Sequence, residues 1–195
     1  LCGLNVPEAK AIKFSKLGTT FLVKRFDRDG QQRIHFSSAM TMLGKKDGAN
    51  ATDGSSYLEI VSFLKANGAK PRDDVQELWK RIVFSMAVSN TDDHFRNHGF
   101  ILSNDGWELS PLYDVNPDIY GEYLSLNVDE YDSGIDFDLA IESAPYYGLK
   151  KNQAKKEIDM IKSVVRNNWR ELAKKNGISR GEIERMEPAF HICEE

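Results

Sequence analysis

The chain has 195 residues, of which 41% are hydrophobic and 29% are charged, and its formal net charge is −4. At about 150 residues per domain, this length favours one domain with an additional segment, and it suffices to bury a core. The composition excludes a disordered or fibrous protein, and no apolar run approaches the roughly 18 residues of a membrane span. Two cysteines near opposite ends are too few for a disulfide framework, so we expect a reducing, cytoplasmic setting.

The first third of the chain has the pattern of β structure. Residues 9–15 alternate, Gly18 supplies a turn, and residues 19–26 form a run of β-branched and aromatic side chains. A turn sequence that contains Gly30 follows, and residues 33–36 are expected to pair back across it. The sequence therefore predicts a three-stranded antiparallel sheet.

The pattern changes to that of helices after this β region. Residues 37–43 predict a short helix with a serine cap, residues 44–56 a polar loop, and residues 57–66 a second helix. A longer helix follows, capped by Asp73 or Asp74, in which apolar side chains recur at the i, i+3, i+4 and i+7 spacing. We expect this long helix to be the main buried element.

A polar stretch and a hairpin follow the long helix. Residues 99–102 and 107–110 are predicted strands joined by an Asn-Asp-Gly turn, which is a strong hairpin signal. Residues 123–128 alternate and are interpreted as a further strand. An acidic cluster over residues 129–138 leads into a short helix, and the remainder is predicted to be helical with an interruption at Gly177.

The polar stretch before the hairpin has the composition of a functional site. Five ionisable side chains fall within seven residues there, namely Asp92, Asp93, His94, Arg96 and His98. Such a density costs desolvation unless the side chains face a cleft or bind a ligand. Because a hairpin returns its end towards its start, Asp92, Asn97 and Asp114 are expected to converge. Oxygen ligands such as those of Asn97 and Asp114 suit Mg²⁺, and Asp92 is suited to accept a proton from a hydroxyl.

The same residues carry a family resemblance. The order Asp92, four residues, Asn97, a hairpin and then Asp114 has the spacing of a kinase catalytic loop and its metal-binding aspartate. The strings Asn-Thr-Asp-Asp-His-Phe-Arg-Asn-His-Gly-Phe and Leu-Ser-Pro-Leu-Tyr-Asp-Val resemble those of the HipA-type serine/threonine kinases, the toxin kinases of bacterial toxin–antitoxin modules. The segments Leu-Cys-Gly-Leu-Asn-Val-Pro and Leu-Val-Lys-Arg-Phe-Asp-Arg resemble the family's sequence just before and at the hinge between the kinase lobes.

The resemblance implies an α+β, protein-kinase-like fold of the HipA type, with hinge strands and a mainly helical lobe that contains a catalytic β-hairpin. Residues 1–36 would be the remnant of an N-terminal lobe and hinge, and residues 37–195 the helical C-terminal lobe. The sequence has no glycine-rich phosphate loop, and Lys10, Lys13 and Lys16 precede the hinge too closely to be the phosphate-binding lysine. We therefore expect a fragment that lacks these upstream parts and is inactive in isolation.

The resemblance also implies the reaction and its central residues. The γ-phosphoryl group of ATP would pass to a serine or threonine of a protein, with Mg²⁺ as the metal. Asp92 would be the catalytic base that orients the acceptor hydroxyl. Asn97 and Asp114 would hold the Mg²⁺ that bridges the ATP phosphates.

Five further residues are implied at the nucleotide site. Lys24 and Phe26, at the hinge, would meet adenine through backbone groups, and Asp27 would lie near the ribose. His94 would support the structure of the loop, and Arg96 would neutralise a phosphate or a loop carboxylate.

The family resemblance implies partners as well. It predicts growth inhibition by phosphorylation of a translation component, such as an aminoacyl-tRNA synthetase, and neutralisation by a HipB-like helix-turn-helix antitoxin. DNA would be met only indirectly through the antitoxin, and no membrane is expected. The predicted helix over residues 150–175 carries nine Lys or Arg against three Asp or Glu, and a solvated outer face is favoured over a DNA contact.

Two other classes of protein stay open from the residues. One is a metal-dependent phosphohydrolase that uses Asp92, Asp93, His94 and Asp114, and the other is a non-catalytic kinase scaffold that acts as a binding module. In the kinase interpretation, Asp93 is expected to be a solvated neighbour of the base, and His98 a residue at the start of a strand.

Overall fold

The computed structural model of the chain describes residues 1–15 and 18–194. Within these residues the strands form three small antiparallel sheets, in which β1 pairs with β2, β3 with β4, and β5 with β6, which also pairs with β7. The strands are β1 (Ala9–Ser15), β2 (Gly18–Val23), β3 (Arg28–Asp29), β4 (Gln32–Arg33), β5 (Phe36–Ser38), β6 (Gly99–Ser103) and β7 (Gly106–Leu109). Lys16, one of the lysines considered above, lies outside the described residues.

The predicted three-stranded sheet in the first third is wrong. Arg33 does pair across the turn, opposite Arg28, but the ladder ends there. Phe36–Ser38 instead pairs with β6, with Ser37 opposite Phe100. The ring of Phe36 packs edge-on against Tyr113, at a centroid distance of 6.2 Å, so aromatic packing accompanies the pairing of this strand with the central hairpin.

The helices of the structure surround one long buried helix, as expected. They are α1 (Ala39–Met42), α2 (Tyr57–Asn67), α3 (Pro71–Ala87), α4 (Phe137–Ser143), α5 (Lys151–Lys175) and α6 (Arg180–Met186), with 3₁₀ turns at Ala51–Asp53, Ala144–Tyr147 and Glu187–Cys193. The apolar side chains of α3, among them Leu78 and Ile82, are fully buried. The prediction that this helix is the main core element is confirmed.

The predicted start of the long helix is wrong. The helix begins at Pro71, whose fixed φ suits the first helical position, and its N-cap residue is Lys70. The carboxylate of Asp74 instead accepts a hydrogen bond of 3.0 Å from the backbone N–H of Leu109. Asp74 therefore ties the first turn of α3 to the end of β7.

The alternation over residues 123–128 does not indicate a strand. These residues lie in a loop with single β-bridges, from Tyr123 to Gly134 and from Asn127 to Ser56. Three alternate side chains of the segment are buried in the core, and they are Leu124, Leu126 and Val128. The period of two thus arises from side-chain burial on an irregular backbone.

The first ribbon differs from the rest of the fold in its exposure. The side chains of Phe14 and Phe21 on β1 and β2 are 70% and 69% exposed, whereas the core is built mainly from the helices. The predicted division at residues 36 and 37 stays a prediction, although β5 begins at this position and pairs with β6. Among the described residues, no helix combines the length and apolarity that crossing a bilayer requires.

Candidate active site

The loop of residues 91–97 leaves the buried end of α3 through a left-handed turn. Ser89 has φ = 49°, and the backbone N–H of Asn90 donates to the carbonyl of Ser85 at 2.8 Å. The side chain of Asn90 is fully buried, and its oxygen accepts a hydrogen bond of 3.2 Å from the backbone N–H of Asn116. Asn90 therefore joins the start of the loop to the segment after the hairpin.

The two chain segments that carry the candidate residues run side by side. Beyond the β6–β7 ladder, the N–H of Ser110 donates to the carbonyl of Gly99 at 2.8 Å. The hydroxyl of Tyr113 then donates to the carbonyl of Arg96 at 2.7 Å. Together with the contact between Asn90 and Asn116, these bonds align residues 110–116 with residues 90–99. The antiparallel arrangement of the hairpin thus continues into the site and brings the segment of Asp114 alongside the loop.

Asp92 and Asn97 are linked within the loop. The side-chain N–H of Asn97 donates to the backbone carbonyl of Asp92 at 2.8 Å, which leaves the amide oxygen of Asn97 available as a ligand. The carboxylate of Asp92 is 80% exposed, and its nearest ionisable neighbour is the ring of His94 at 3.8 Å. The loop therefore carries one exposed carboxylate, that of Asp92, and one largely buried amide, that of Asn97, whose N–H is fixed by a hydrogen bond.

Asp114 has a strained backbone. Its φ is 58°, in the left-handed region that non-glycine residues seldom adopt. Its carboxylate accepts a hydrogen bond of 3.0 Å from the side chain of Asn116, and the neighbouring Tyr113 is held by Arg96. Such strain persists only where the surroundings enforce it, and it is concentrated at functional sites.

The chemistry of Asn97 and Asp114 fits a magnesium ion. An amide oxygen and a carboxylate are hard ligands, and Mg²⁺ is commonly held by one or two such groups together with water and substrate phosphates. Among residues 1–15 and 18–194, no three His, Cys, Asp or Glu side chains are grouped as metal ligands. A Mg²⁺ ion held by Asn97 and Asp114 would take its remaining ligands from water and phosphate oxygens.

Asp93 is a core residue, so the expectation that it is solvated was wrong. It is 2% exposed, and its carboxylate accepts hydrogen bonds from the hydroxyls of Tyr57 at 2.9 Å and Ser85 at 3.2 Å. The ring nitrogen Nε2 of His98 lies 3.0 Å from its other oxygen. Burial by itself would raise the pKa of Asp93, but His98 and the two hydroxyls outweigh it and hold the pKa below its ordinary value.

This position of Asp93 removes the support for a phosphohydrolase. That alternative needs Asp93 to act together with Asp92 and Asp114, but Asp93 is buried, with Tyr57 on one carboxylate oxygen and His98 3.0 Å from the other. The burial of Asp93 had one signal in the sequence, which is Ser85. A serine on the apolar face of a buried helix needs a polar partner inside the protein. His98 precedes β6, in agreement with its predicted place.

The hinge residues reach the site through aromatic packing. The ring of Phe26 stacks on Tyr113 at 5.9 Å and meets Phe36 edge-on at 5.6 Å, so the hinge lies beside the segment of Asp114. The backbone N–H of Lys24 already donates to the carbonyl of Glu8 at 2.8 Å. The N–H of Lys24 is therefore already engaged, which restricts the predicted contact of Lys24 with adenine to its carbonyl.

Asp27 is held by two guanidinium groups. Arg25 donates to its two oxygens at 2.8 and 2.6 Å, and Arg28 donates to one of them at 2.6 Å. The hydrogen bonds from Arg25, with the charges of both arginines, lower the pKa of Asp27 to about 2. Asp27 is therefore an ionised hinge carboxylate with its partners already in place.

Arg96 and His94 line a cleft together with residues 46–50. The guanidinium of Arg96 is hydrogen-bonded to the carboxylate of Asp47, and its Nη2 lies 3.1 Å from Nε2 of His94. The cleft has a volume of about 320 Å³. Its lining residues are Met40, Lys46, Asp47, Gly48, Ala49, Asn50, His94, Phe95, Arg96 and Ser125. Arg96 thus contacts the carboxylate of Asp47, and its other neighbour His94 lies 3.8 Å from the carboxylate of Asp92.

The mixed helical architecture with its small antiparallel sheets is an α+β, protein-kinase-like fold, and the loop and hairpin lie in the order of a kinase site. The family model of the HipA-like C-terminal domain matches residues 1–169. The chain therefore belongs to the HipA-like C-terminal domain family.

Named relatives agree with this membership. The chain is 30% identical over 150 residues to the serine/threonine-protein kinase toxin HipA of Shewanella oneidensis, which covers 66% of this chain and 34% of the relative. It is 32% identical over 123 residues to a Haemophilus influenzae protein named as a kinase, covering 57% of this chain and 36% of that protein. The matched part is thus about a third of the length of these relatives.

A solved structure supports the fold. The chain superimposes with a TM-score of 0.81 on a chain from the HipA, HipB and operator DNA complex of the Shewanella oneidensis MR-1 toxin–antitoxin system. The superposition covers 99% of this chain and 52% of that chain, at 20% sequence identity. At this identity the likeness establishes the fold.

Proposed function

We propose that this chain is the catalytic lobe of a HipA-like serine/threonine kinase that transfers the γ-phosphoryl group of ATP to a protein hydroxyl. The observation that carries the proposal is the hydrogen bond of 2.8 Å from Asn97 to the carbonyl of Asp92. It holds an amide ligand and a free carboxylate in fixed relation within one loop, beside the strained Asp114. This combination suits phosphoryl transfer, in which catalysis is mostly positioning and charge stabilisation.

Asp92 is the proposed base. Its exposed carboxylate orients the acceptor serine or threonine and takes the hydroxyl proton as the acceptor oxygen bonds to the γ-phosphorus. The bond from this phosphorus to the bridging oxygen breaks, and ADP leaves. Asn97 and Asp114 would hold Mg²⁺, which when bound neutralises charge on the phosphates.

Residues of the hinge and of the loop would position the nucleotide. The carbonyl of Lys24 and the backbone of Phe26 are the proposed adenine contacts, and the ionised Asp27 is the proposed ribose neighbour. Arg96, which is bound to Asp47, and its neighbour His94 would shape the loop from the cleft side.

The partners are proposed from the family. The solved Shewanella chain is in a complex with HipB and operator DNA, which favours a HipB-like antitoxin as the partner of this chain and DNA contact through that partner. A translation component such as an aminoacyl-tRNA synthetase is the proposed substrate, and the cytoplasm the proposed location.

Replacement of Asp114 tests the proposal. In the complete gene product that contains this chain, we expect Asp114→Asn to weaken Mn²⁺ binding and to lower phosphoryl transfer from labelled ATP by at least about 10²-fold, because a charged ligand is lost. The matched control is Asp105→Asn, at an exposed acid in the turn of the same hairpin, which should retain both properties. Full transfer by Asp114→Asn would reject the site. Absence of ATP binding by the wild type would favour the binding module instead.

A further inference from the structure

A buried polar network lies directly behind the candidate loop. Its members come from four parts of the fold, and each is at most 2% exposed. They are Tyr57 at the start of α2, Ser85 near the end of α3, Asp93 in the loop and His98 just before β6. The phosphoryl transfer proposed above uses none of these side chains.

The network fixes both the side chain and the backbone of Asp93. The hydroxyl of Tyr57 lies 2.9 Å from Oδ2 and 3.3 Å from the backbone carbonyl of Asp93, and the hydroxyl of Ser85 donates to Oδ2 at 3.2 Å. The ring of His98 lies 3.0 Å from Oδ1 and meets the ring of Tyr57 edge-on at 5.5 Å. Oδ2 is therefore held by hydrogen bonds from α2 and α3, and His98 lies within ion-pair distance of Oδ1 without a hydrogen bond of good geometry. These contacts suit a group whose burial is otherwise costly.

Two members of the network are sequence neighbours of the candidate site residues Asp92 and Asn97. Asp93 directly follows Asp92, and His98 directly follows Asn97. Adjacent Cα atoms are about 3.8 Å apart, so a contact between Asp93 and His98 limits the separation of the two residues before them. The hydrogen bond from Asn97, which is 4% exposed, to the backbone carbonyl of Asp92 closes the same segment a second time.

We infer that Asp93 and His98 are positioning residues, which form a buried brace that sets the distance between the base Asp92 and the metal ligand Asn97. This inference rests on the proposed kinase function and assigns the brace no contact with substrate. Tyr57 and Ser85 anchor the brace to α2 and α3.

Removal of one hydroxyl tests the brace. Tyr57→Phe retains the buried ring and deletes the donor to Asp93. The matched control is Tyr147→Phe, because Tyr147 is also fully buried and its hydroxyl donates to the carbonyl of Val128 at 2.6 Å. Both variants should lose similar thermal stability. If Tyr57→Phe does not fold, Ser85→Ala removes the other donor from the same carboxylate.

The readouts separate positioning from general destabilisation. We expect Tyr57→Phe to shift the side-chain amide signals of Asn97 in ¹⁵N–¹H spectra of this chain. In the complete gene product it should weaken Mn²⁺ binding about fivefold and lower kcat about tenfold, while KM for ATP stays within about twofold. Tyr147→Phe should leave all of these values at the wild-type level.

The same data distinguish the failure of the brace from that of the kinase proposal. Identical Asn97 signals, Mn²⁺ affinity and kcat in the two tyrosine variants would overturn the brace. If the wild type neither binds Mn²⁺ nor transfers phosphate, the proposed function fails. In that case the brace is judged from the side-chain amide signals of Asn97 only. A shift of these signals in Tyr57→Phe but not in Tyr147→Phe supports the brace, and unchanged signals in both variants overturn it.

Discussion

Gly99 allows two aromatic rings to approach the backbone of β6 beside the loop. A Cβ atom at this position would lie 2.3 Å from Cε2 and 2.6 Å from Cζ of Phe36, and 3.2 Å from the hydroxyl of Tyr113. The hydroxyl of Tyr113 donates to the carbonyl of Arg96. The absence of a side chain at Gly99 therefore leaves room for the rings of Phe36 and Tyr113 to pack beside the loop. Any larger residue must displace the ring of Phe36.

We expect Gly99→Ala to lower the free energy of unfolding by about 1–3 kcal/mol, because it overpacks a buried site. Gly181→Ala is the matched control, since Gly181 lies in α6 and an added Cβ meets no atom within 4 Å. There the change should raise the free energy of unfolding by about 0.5–1 kcal/mol. Chemical denaturation measures both, and equal effects of the two substitutions would contradict this account of Gly99.

At the scale of elements, the turn between β2 and β3 depends on one ionised carboxylate. Arg25 and Arg28 hold Asp27, and the carbonyl of Asp27 accepts a hydrogen bond of 3.0 Å from the N–H of Ile34. With a pKa of about 2 in the folded protein, against about 3.9 in an unfolded chain, Asp27 favours the folded state above about pH 4. This contribution is lost as the pH falls from about 4 through about 2.

Amide exchange at Ile34 tests this dependence. We expect Asp27→Asn to speed exchange of the Ile34 amide at neutral pH, relative to the wild type, because the ion pairs are lost. The difference between the two proteins should diminish below about pH 4 and vanish below about pH 2. A difference that stays constant over this range would contradict the proposed role of the carboxylate.

Elements with strong local signals were predictable from the sequence. The Asn-Asp-Gly turn predicts the β6–β7 hairpin, and the apolar spacing predicts α3, with its first turn displaced to Pro71. Pairing and burial were not predictable in the same way, because partners distant in sequence decide them. Phe36–Ser38 joins β6 rather than its sequence neighbours, and Asp93 is buried by hydroxyls from α2 and α3.

The residues of the candidate site could be selected from the sequence, but the burial and orientation of the side chains around them could not. The spacing of Asp92, Asn97 and Asp114 indicates a kinase-like loop, and the structure runs the two segments side by side. Nothing in the spacing indicates that Asp93 points inward while Asp92 points outward. That difference follows from the packing of α2 and α3 behind the loop.

On the scale of the whole molecule, basic residues are distributed unevenly along the chain. Residues 97–149 contain no Lys or Arg, whereas residues 150–175 carry nine against three acidic residues. The apolar face of α5 is buried, with Ile158 and Ile161 in the core, so its basic residues lie mainly on the outer face, as expected.

The central claim is that Asp92 is the base of a phosphoryl-transfer site, and steady-state kinetics of Asp92→Asn in the complete gene product tests it most directly. The carboxylate of Asp92 is exposed, and Asn97 is bonded to the backbone carbonyl of Asp92 and not to this carboxylate, so the substitution should leave the fold and nucleotide binding intact. We expect kcat to fall by about 10²-fold or more while KM for ATP changes little. A kcat close to that of the wild type would contradict the account.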